Sequence, residues 1–319
     1  MIKNREFLKD KKIVVTGGAG FIGSHIVDEL VSDGANVVVV DNLSNGNVKN
    51  LDGVRDKIEF HKTDIIDTDA LKKIFEGAYA VLHEAALNVV PRSIEMPMET
   101  HMANSTGSLS VFIAAHHAKV DRVIYASSSS VYGNTKTLPK TEAMIPDPLS
   151  PYALQKLSME YYAKIFTSLY GLKTIGLRYF NVFGPRQNPN STYSAVIPKF
   201  IKLINEDKSP EIYGDGENFR DFTFIKNVVD ANICALKVEE GFGEVFNASY
   251  GSFVSLNDMV SKINKIFGKS IHIKYLPERK GDVKNSFANI DKARIILGYN
   301  PEISFDEGLE KTVKSYITK

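Results

Sequence analysis

The chain has 319 residues, of which 43% are hydrophobic and 24% charged, and its 39 Lys and Arg nearly balance its 38 Asp and Glu. Ordinary hydrophobicity with balanced charge is typical of a globular protein and excludes a disordered chain. The net charge of +1 lacks the basic excess of nucleic-acid binders, so we expect no nucleic-acid partner.

The cysteine content and the hydropathy of the chain indicate the cellular compartment of the protein. Cys234 is the single cysteine, which excludes an internal disulfide and a cysteine-based zinc site. Residues 1–12 are rich in charge, and no apolar run approaches the ~18 residues needed to span a membrane. We therefore expect a cytoplasmic protein with no membrane partner.

Short β-branched runs alternate with longer helical patterns in the first part of the chain. Because the runs show little polar alternation, they predict strands that are covered by helices on both faces. The sequence thus predicts an α/β fold with a doubly wound parallel (Rossmann) sheet. The predicted strands are 12–16, 36–41, 58–62, 80–84, 122–127 and 173–179. After about Asn181, loops rich in Pro, Gly and Asn predict a smaller, mixed α/β lobe.

A glycine-rich turn, 16–23, joins the first strand to a predicted helix over 21–32. Gly17 permits the tight turn, Gly20 lets a phosphate approach the backbone, and Gly23 lets helix and strand pack closely. The helix begins with Phe21 and Ile22, and its N-terminus can hold a pyrophosphate. This pattern predicts a dinucleotide site.

An acidic residue ends the second predicted strand. Asp41 lies 18 residues after Gly23, where its carboxylate can accept hydrogen bonds from an adenosine ribose and would repel a 2′-phosphate. The sequence therefore predicts NAD rather than NADP as the cofactor.

Hydroxyl and amine side chains suited to proton transfer follow the fifth predicted strand. Tyr152 and Lys156 are four residues apart, which places them on one face of a helix that begins near Pro151. A nearby ammonium would lower the pKa of the Tyr152 phenol from its usual value of ~10, so that it could act as a base. The serine run 127–130 ends a strand and should display hydroxyls at the carboxyl edge of the sheet.

In this order the motifs resemble those of the extended short-chain dehydrogenase/reductase family, and within it the NAD-dependent nucleotide-sugar epimerase/dehydratase group. The resemblance covers about residues 10–310. The motifs that carry it are 16–23, Asp41-Asn42, Asp64-Ile65, 83–86, the serines before Val131-Tyr132-Gly133, Tyr152 with Lys156, 178–185 and 220–222.

The resemblance implies roles for individual residues at the cofactor. It places Tyr152 as the base, Ser128 as the catalytic hydroxyl and Lys156 at the nicotinamide ribose. The remaining cofactor positions that it implies are Asp41 and Asn42 at the adenosine ribose, Asp64 and Ile65 at the adenine, Ala85 and Ala86 along the cofactor, and Asn104 and Tyr179 near the nicotinamide.

The group shares an opening step, in which the base takes the proton of the sugar C4 hydroxyl while hydride leaves C4 for NAD. Related 4,6-dehydratases carry an Asp-Glu pair directly after the catalytic hydroxyl residue, and here those positions are Ser129 and Ser130. Since neither can act as a carboxylate acid or base, we expect a UDP-sugar 4-epimerase that inverts C4 through a 4-keto intermediate.

The resemblance also implies a UDP-sugar site. The positions concerned are Asn181, Arg220 and Arg279 at the diphosphate and ribose, Asp282 near the ribose, Val196 at the uracil, and Arg92, Ser93, Ser128, Ser129 and Tyr152 around the sugar. Ser286 matches a position that is a bulky tyrosine in epimerases restricted to glucose and galactose. Its small side chain predicts turnover of UDP-N-acetylglucosamine and UDP-N-acetylgalactosamine, together with UDP-glucose and UDP-galactose.

Other functions remain open at this point. A UDP-glucuronate 4-epimerase or decarboxylase would need a cation for the C6 carboxylate, for which Arg92 or Arg186 could serve, and a 4,6-dehydratase is a further alternative. A silent dinucleotide-binding sensor should lack Tyr152 or Lys156, and both are present.

Two expectations concern metals and assembly. His83 and Glu84 do not form a His-Glu-x-x-His motif, because residue 87 is leucine, so we expect no metal site and assign the pair to packing at a strand end. Apolar faces in 109–118 and 157–169 suit helix pairing between two subunits, which predicts a homodimer.

Domain limits follow from these assignments. We expect an NAD-binding domain over 1–181, with return segments around 221–251, and a nucleotide-sugar-binding domain over 182–220 and 252–319.

Overall fold

The structure, a computed structural model, describes residues 5–188, 196–278 and 285–317. Its strands are β1 Lys12–Thr16, β2 Asn36–Val40, β3 Ile58–His61, β4 Ala80–His83, β5 Arg122–Ser128, β6 Lys173–Tyr179, β7 Val182–Phe183, β8 Glu211–Tyr213, β9 Phe219–Arg220, β10 Thr223–Phe224, β11 Glu244–Ala248, β12 Val254–Ser255 and β13 Lys274–Leu276.

Its α-helices are α1 Phe21–Ser32, α2 Thr68–Phe75, α3 Val90–Glu95, α4 Pro97–His101, α5 Gly107–His117, α6 Pro151–Tyr170, α7 Val196–Asn205, α8 Ile225–Lys237, α9 Leu256–Phe267 and α10 Phe305–Ile317. A π-helical turn, Met102–Thr106, joins α4 to α5. A 3₁₀ turn, Ser129–Tyr132, follows β5.

The main sheet has seven parallel strands in the order β11-β6-β5-β4-β1-β2-β3. The doubly wound parallel fold is therefore confirmed, and the six predicted strands agree with the structure to within one residue at each end. The strand order reverses between β1 and β4, and in such sheets ligands bind outside the carboxyl ends of the strands at this point.

Alternate residues of β1 pack into different layers of the core. Ile13 and Val15 join the apolar cluster that α1 and α8 cover, whereas Val14 joins the cluster that α5 and α6 cover. This two-residue period on a wholly buried strand explains why the run showed no polar alternation.

The strand prediction omitted the seventh strand, β11. This strand pairs in parallel with β6 and follows α8, so the chain returns to the main sheet after leaving it. Its apolar run is short and is interrupted by the polar Asn247, so the sequence shows little strand pattern there.

The rest of the chain forms a smaller set of elements built around three two-stranded sheets. They pair β10 with β7 and β13 with β8 in parallel, and β12 with β9 in antiparallel. In the part of the chain that the structure describes, no helix is both long enough and apolar enough to cross a membrane.

Candidate active site

The glycine-rich turn lies at the point where the strand order reverses. Gly17 has φ +69°, and its N–H donates to Val40 O at 2.7 Å. A Cβ on Gly17 would lie 2.7 Å from Ala85 Cα, and one on Gly23 would lie 2.2 Å from Gly17 O. Both positions therefore exclude any side chain, because the turn backbone and the chain after β4 approach too closely.

The start of α1 offers a place for a phosphate. Gly20 is the extended N-cap residue and provides no side-chain cap to the helix. The first N–H groups of a helix have no partner within it, so the backbone N–H groups of Phe21 and Ile22 can bind an anion. The chain thus fits the pyrophosphate of a dinucleotide here.

The loops after β2 and β3 bring the predicted ribose and adenine residues together. Asp41 accepts hydrogen bonds from Ala19 N–H at 3.0 Å and Leu43 N–H at 2.8 Å, and burial raises its pKa. Each carboxylate oxygen keeps acceptor capacity for a ribose hydroxyl. Asn42 Nδ2 donates to Asp64 Oδ2 at 2.8 Å, while the buried Ile65 packs against Gly107.

Three side chains of the predicted catalytic set converge beyond β5. Ser128 ends β5, and its hydroxyl shares a hydrogen bond with that of Tyr152. Lys156 lies one turn further along α6, with its Nζ 6.0 Å from the centre of the Tyr152 ring. Its ammonium donates to Ala126 O at 2.6 Å, which anchors α6 to β5.

Burial dominates the proton affinities of this centre. Burial lowers the pKa of Lys156 to about 8, although the carboxylates of Glu84 and Glu160 oppose that shift. Burial raises the pKa of Tyr152 to about 12, and the hydrogen bond with Ser128 partly counters it. Without a ligand, both groups are therefore protonated at neutral pH, the phenol completely and the Lys156 amine for the most part, so the lowered phenol pKa that the sequence predicted is not found here.

Two predicted ligand residues also hold the framework. Asn104 accepts from Leu87 N–H at 2.8 Å and donates to Leu87 O at 3.0 Å and Gln155 Oε1 at 2.8 Å. Ser93 is fully buried, donates to Val90 O at 2.7 Å and accepts from Tyr152 N–H at 3.1 Å. Each residue therefore positions α6 or the chain beside it, and its contact with a ligand stays a prediction.

Only His83 of the strand-end pair has the predicted packing role. His83 is buried and bonded through its ring to Thr16 at 2.8 Å and Ser108 at 2.9 Å, and burial lowers its pKa to about 3. Glu84 is half-buried and accepts a hydrogen bond from the Tyr179 hydroxyl at 2.8 Å. His83 is thus a packed core residue, whereas Glu84 faces the predicted cofactor crevice beside Tyr179.

The substrate side is partly assembled by β9. Arg220 pairs in an isolated bridge with Ser286, and Asn181, at φ +30°, donates from Nδ2 to Asp221 O at 2.9 Å. Val196 is the half-buried first residue of α7. The predicted contacts of Arg279 and Asp282 lie outside the described residues.

Both arginines considered for a sugar carboxylate already bind a carboxylate of this chain. Arg92 Nη2 lies 2.6 Å from Glu99 Oε1, and its Nε lies 3.4 Å from Glu99 Oε2. Arg186 Nη2 lies 2.5 Å from Asp28 Oδ2. Each guanidinium is therefore charge-compensated within the protein.

The sequence reasoning missed a buried ion pair behind the catalytic helix. Arg178 donates to both carboxylate oxygens of Glu160, at 2.8 and 2.6 Å, and Ser127 also donates to Glu160 at 2.5 Å. Glu160 lies four residues after Lys156 on α6, so the same helical spacing that paired Tyr152 with Lys156 extends to it. These contacts fasten α6 to β5 and β6.

The comparisons with known proteins agree with this geometry. Residues 13–249 match the model of the NAD dependent epimerase/dehydratase family. The chain belongs to this family. Among the described residues, no group of His, Cys, Asp and Glu could hold a metal ion.

Solved relatives match nearly the whole chain. The UDP-N-acetylglucosamine 4-epimerase of Methanobrevibacter ruminantium, solved with UDP-N-acetylmuramic acid, is 44% identical over 97% of this chain and 99% of its own, with a TM-score of 0.93. The UDP-glucose 4-epimerase of Thermotoga maritima, solved with UDP-glucose, is 38% identical over 96% and 99%, with a TM-score of 0.91.

A uronate relative is also similar. The UDP-glucuronic acid 4-epimerase of Bacillus cereus, solved with UDP-glucuronic acid and NAD, is 33% identical over 96% of this chain and 99% of its own, with a TM-score of 0.89. Family membership therefore leaves several UDP sugars to be distinguished.

Proposed function

We propose that this protein is a UDP-sugar 4-epimerase that interconverts UDP-N-acetylglucosamine with UDP-N-acetylgalactosamine and UDP-glucose with UDP-galactose. The observation that carries the proposal is the convergence of Ser128, Tyr152 and Lys156 beside the glycine-rich turn, with serines where a dehydratase needs carboxylates. Relatives named as 4-epimerases at 38–44% identity support it.

The residues divide the work of inverting C4. Tyr152 takes the proton of the C4 hydroxyl, Ser128 holds that hydroxyl by a hydrogen bond, and the Lys156 ammonium stabilises the phenolate. NAD, held by the glycine-rich turn, Asp41 and Lys156, would supply the hydride chemistry at C4, as acceptor and then as donor to the other face of the sugar. Tyr152 then gives its proton back to the oxygen of the 4-keto intermediate, which restores the starting protonation state.

Dehydration is disfavoured by the residues after Ser128. Ser130 donates from its hydroxyl to Ser128 Oγ at 2.9 Å and from its N–H to the same oxygen at 3.1 Å. Ser129 opens the 3₁₀ turn. Neither side chain has the proton affinity needed to move protons at C5 and C6, so the reaction stops at epimerisation.

Uronates are disfavoured by charge. The guanidinium groups of Arg92 and Arg186 are paired with Glu99 and Asp28, so their charge is already compensated within the protein. A neutral C6 hydroxymethyl group needs no further cation, in contrast to the C6 carboxylate of the UDP-glucuronic acid bound by the Bacillus cereus relative.

We propose that β9 and the residues near it hold the nucleotide. Arg220 and Arg279 meet the diphosphate, Asn181 and Asp282 lie near the phosphates and ribose, and Val196 covers the uracil. Guanidinium groups suit diphosphates because they can bind two oxygens at once.

The test is an activity panel with the purified protein. UDP-N-acetylgalactosamine, UDP-galactose and UDP-glucuronate are incubated separately, and products are separated by chromatography. We expect the gluco epimers of the first two and no product from the third. A uronate product alone would overturn the substrate assignment, and no product from any substrate would favour a silent dinucleotide-binding protein.

We further propose a homodimer. Four of the exposed apolar side chains of α6 lie at helical spacing and form one stripe, which consists of Leu154, Tyr161, Ile165 and Leu169. Light scattering after size exclusion should give twice the chain mass for the wild type and a monomer for the double variant Ile165→Glu and Leu169→Glu. A monomeric wild type at micromolar concentration would contradict the proposal.

A further inference from the structure

A chain of hydrogen bonds runs across the carboxyl edge of the sheet. Asn232 on α8 donates from Nδ2 to the Tyr179 hydroxyl at 2.7 Å, and that hydroxyl donates to Glu84 Oε1 at 2.8 Å. Tyr179 ends β6 and Glu84 follows β4, with β5 between these two strands. These hydrogen bonds therefore pass over the end of β5, the strand that carries Ser128 and the Ala126 carbonyl bound by Lys156.

The backbone places Glu84 firmly at this point. Its N–H donates to Thr16 O at 3.1 Å, next to the glycine-rich turn. A Cβ on Gly17 would lie only 3.0 Å from the Glu84 carbonyl carbon, so the turn and this residue are in close contact. The backbone of Glu84 therefore cannot move without disturbing the turn.

The charges around Lys156 make Glu84 distinctive. Glu84 follows His83, which pairs with Tyr125 between β4 and β5, so its backbone lies beside Ala126, whose carbonyl binds the Lys156 ammonium. The carboxylate of Glu84 and that of Glu160, on α6, both favour the charged form of Lys156. The guanidinium of Arg178 binds both oxygens of Glu160 and compensates its charge. Glu84 instead accepts its hydrogen bond from a neutral phenol, so its negative charge acts on Lys156 without a bound cation.

The other titratable groups at this centre do not replace that charge. Burial keeps the His83 ring neutral by lowering its pKa to about 3. Burial keeps Tyr179 protonated by raising its pKa well above the usual value. Tyr152, on the same helix as Lys156, is the group whose ionisation the ammonium has to support.

We propose that Glu84 is a positioning residue of the catalytic centre: its carboxylate holds the Tyr179 hydroxyl in place and keeps the Lys156 ammonium charged beside Tyr152. The catalytic consequence rests on the proposed epimerase function. The electrostatic pairing of Glu84 with Lys156 does not, and can be measured on its own.

The pH range of this effect follows from burial. Burial raises the pKa of Glu84 to about 7, with the Tyr179 hydrogen bond and Lys156 opposing the shift. The carboxylate is therefore charged above about 7, where Lys156, with its pKa of about 8, begins to lose its proton. Above about pH 7, the charged Glu84 therefore keeps a larger fraction of Lys156 protonated.

The decisive variant is Glu84→Gln in the full chain, with NAD added. Glutamine keeps an oxygen for Tyr179 and removes the charge. Lysine labelled with carbon-13 at Cε reports the titration of Lys156, whose signal is assigned as the one missing in Lys156→Arg. We expect the pKa of Lys156 to fall by about one unit, and kcat at about pH 9 to fall roughly tenfold with KM within about twofold, because above both pKa values one pKa unit is a tenfold change in the charged fraction.

Matched variants complete the design. Asp69→Asn removes an exposed carboxylate that is paired with Lys72 on α2, and should leave the titration of Lys156 and kcat unchanged. Tyr179→Phe removes the phenol whose hydrogen bond lowers the pKa of Glu84, and should shift Lys156 in the same direction as Glu84→Gln, by a smaller amount. It provides the answer if Glu84→Gln does not fold.

The titration of Lys156 in Glu84→Gln decides the role of Glu84. A lowered pKa of Lys156 supports the proposal, and an unchanged pKa overturns it. If the pKa is unchanged while kcat and the melting temperature both fall, Glu84 is a purely structural residue. If the wild type turns over none of the UDP sugars, the proposed function fails and the titration of Lys156 still decides whether Glu84 has this role.

Discussion

Ser93 Oγ accepts a hydrogen bond from the backbone N–H of Tyr152 at 3.1 Å, although 59 residues separate the two in the sequence. Tyr152 lies in the first turn of α6, where N–H groups have no partner within the helix. Helix α3 therefore fixes the start of α6 at Tyr152, the proposed base.

This contact predicts the effect of Ser93→Ala. The buried N–H of Tyr152 would lose its acceptor, which costs about 1–3 kcal/mol of unfolding free energy. We expect kcat to fall severalfold, since the start of α6 is no longer fixed. Urea denaturation and steady-state kinetics measure the two effects. Ser168→Ala, at an exposed hydroxyl of the same helix, is the control and should change neither.

Tyr152→Phe should nearly abolish activity while leaving the fold intact. A positioned base contributes about 10²–10⁴-fold to rate, and the substitution removes one hydroxyl bonded to Ser128. The loss should appear in kcat with the melting temperature nearly unchanged. Tyr162→Phe, at an exposed tyrosine of α6 outside the proposed dimer stripe, serves as the control. Activity retained by Tyr152→Phe would identify another base.

The fold could be predicted from the sequence, and Ser128, Tyr152 and Lys156 could be proposed as catalytic, because each rests on local spacing. The glycine positions, the strand runs and the four-residue interval from Tyr152 to Lys156 are all short-range patterns. The roles of Ser93 and Asn104 could not, because their partners Tyr152 and Gln155 are distant in the chain and only folding reveals that their polar groups are occupied.

The role proposed for Glu84 could not be predicted from the sequence either. Its position after a strand was visible in the sequence, and without a metal motif it looked like packing. Its partner Tyr179 is 95 residues away, and the electrostatic pairing with Lys156 depends on the order of β4, β5 and β6. A property set by strand order and burial leaves no local pattern in the sequence.

His83 predicts how stability depends on pH. Its pKa falls from 6.5 to about 3 on folding, so below pH 6.5 the unfolded chain binds a proton that the folded protein does not. The neutral ring's contribution is therefore complete above pH 6.5 and is lost as pH falls, by about 2 kcal/mol at pH 5.

The measurement is urea denaturation at pH 8 and pH 5 for the wild type and His83→Gln. The wild type should lose about 2 kcal/mol more than the variant between these pH values. Glu84 and Asp221, whose pKa values burial raises to about 7, act in the opposite direction between about pH 4 and 7 but equally in both proteins. Equal losses in the two proteins would show that His83 becomes protonated in the folded state.

Ser286 predicts a division between the two substrate pairs. Its backbone is fixed between Phe219 O, at 3.2 Å, and Asp221 N, at 2.8 Å, so a larger side chain at this position cannot be relieved by moving the strand. Ser286→Tyr should abolish turnover of UDP-N-acetylglucosamine and UDP-N-acetylgalactosamine and spare UDP-glucose and UDP-galactose. Ser286→Ala keeps the space and should retain both activities. The measurement is kcat/KM for both substrate pairs in each variant. An equal fall for the two pairs in Ser286→Tyr would show that this residue does not set the size of the sugar pocket.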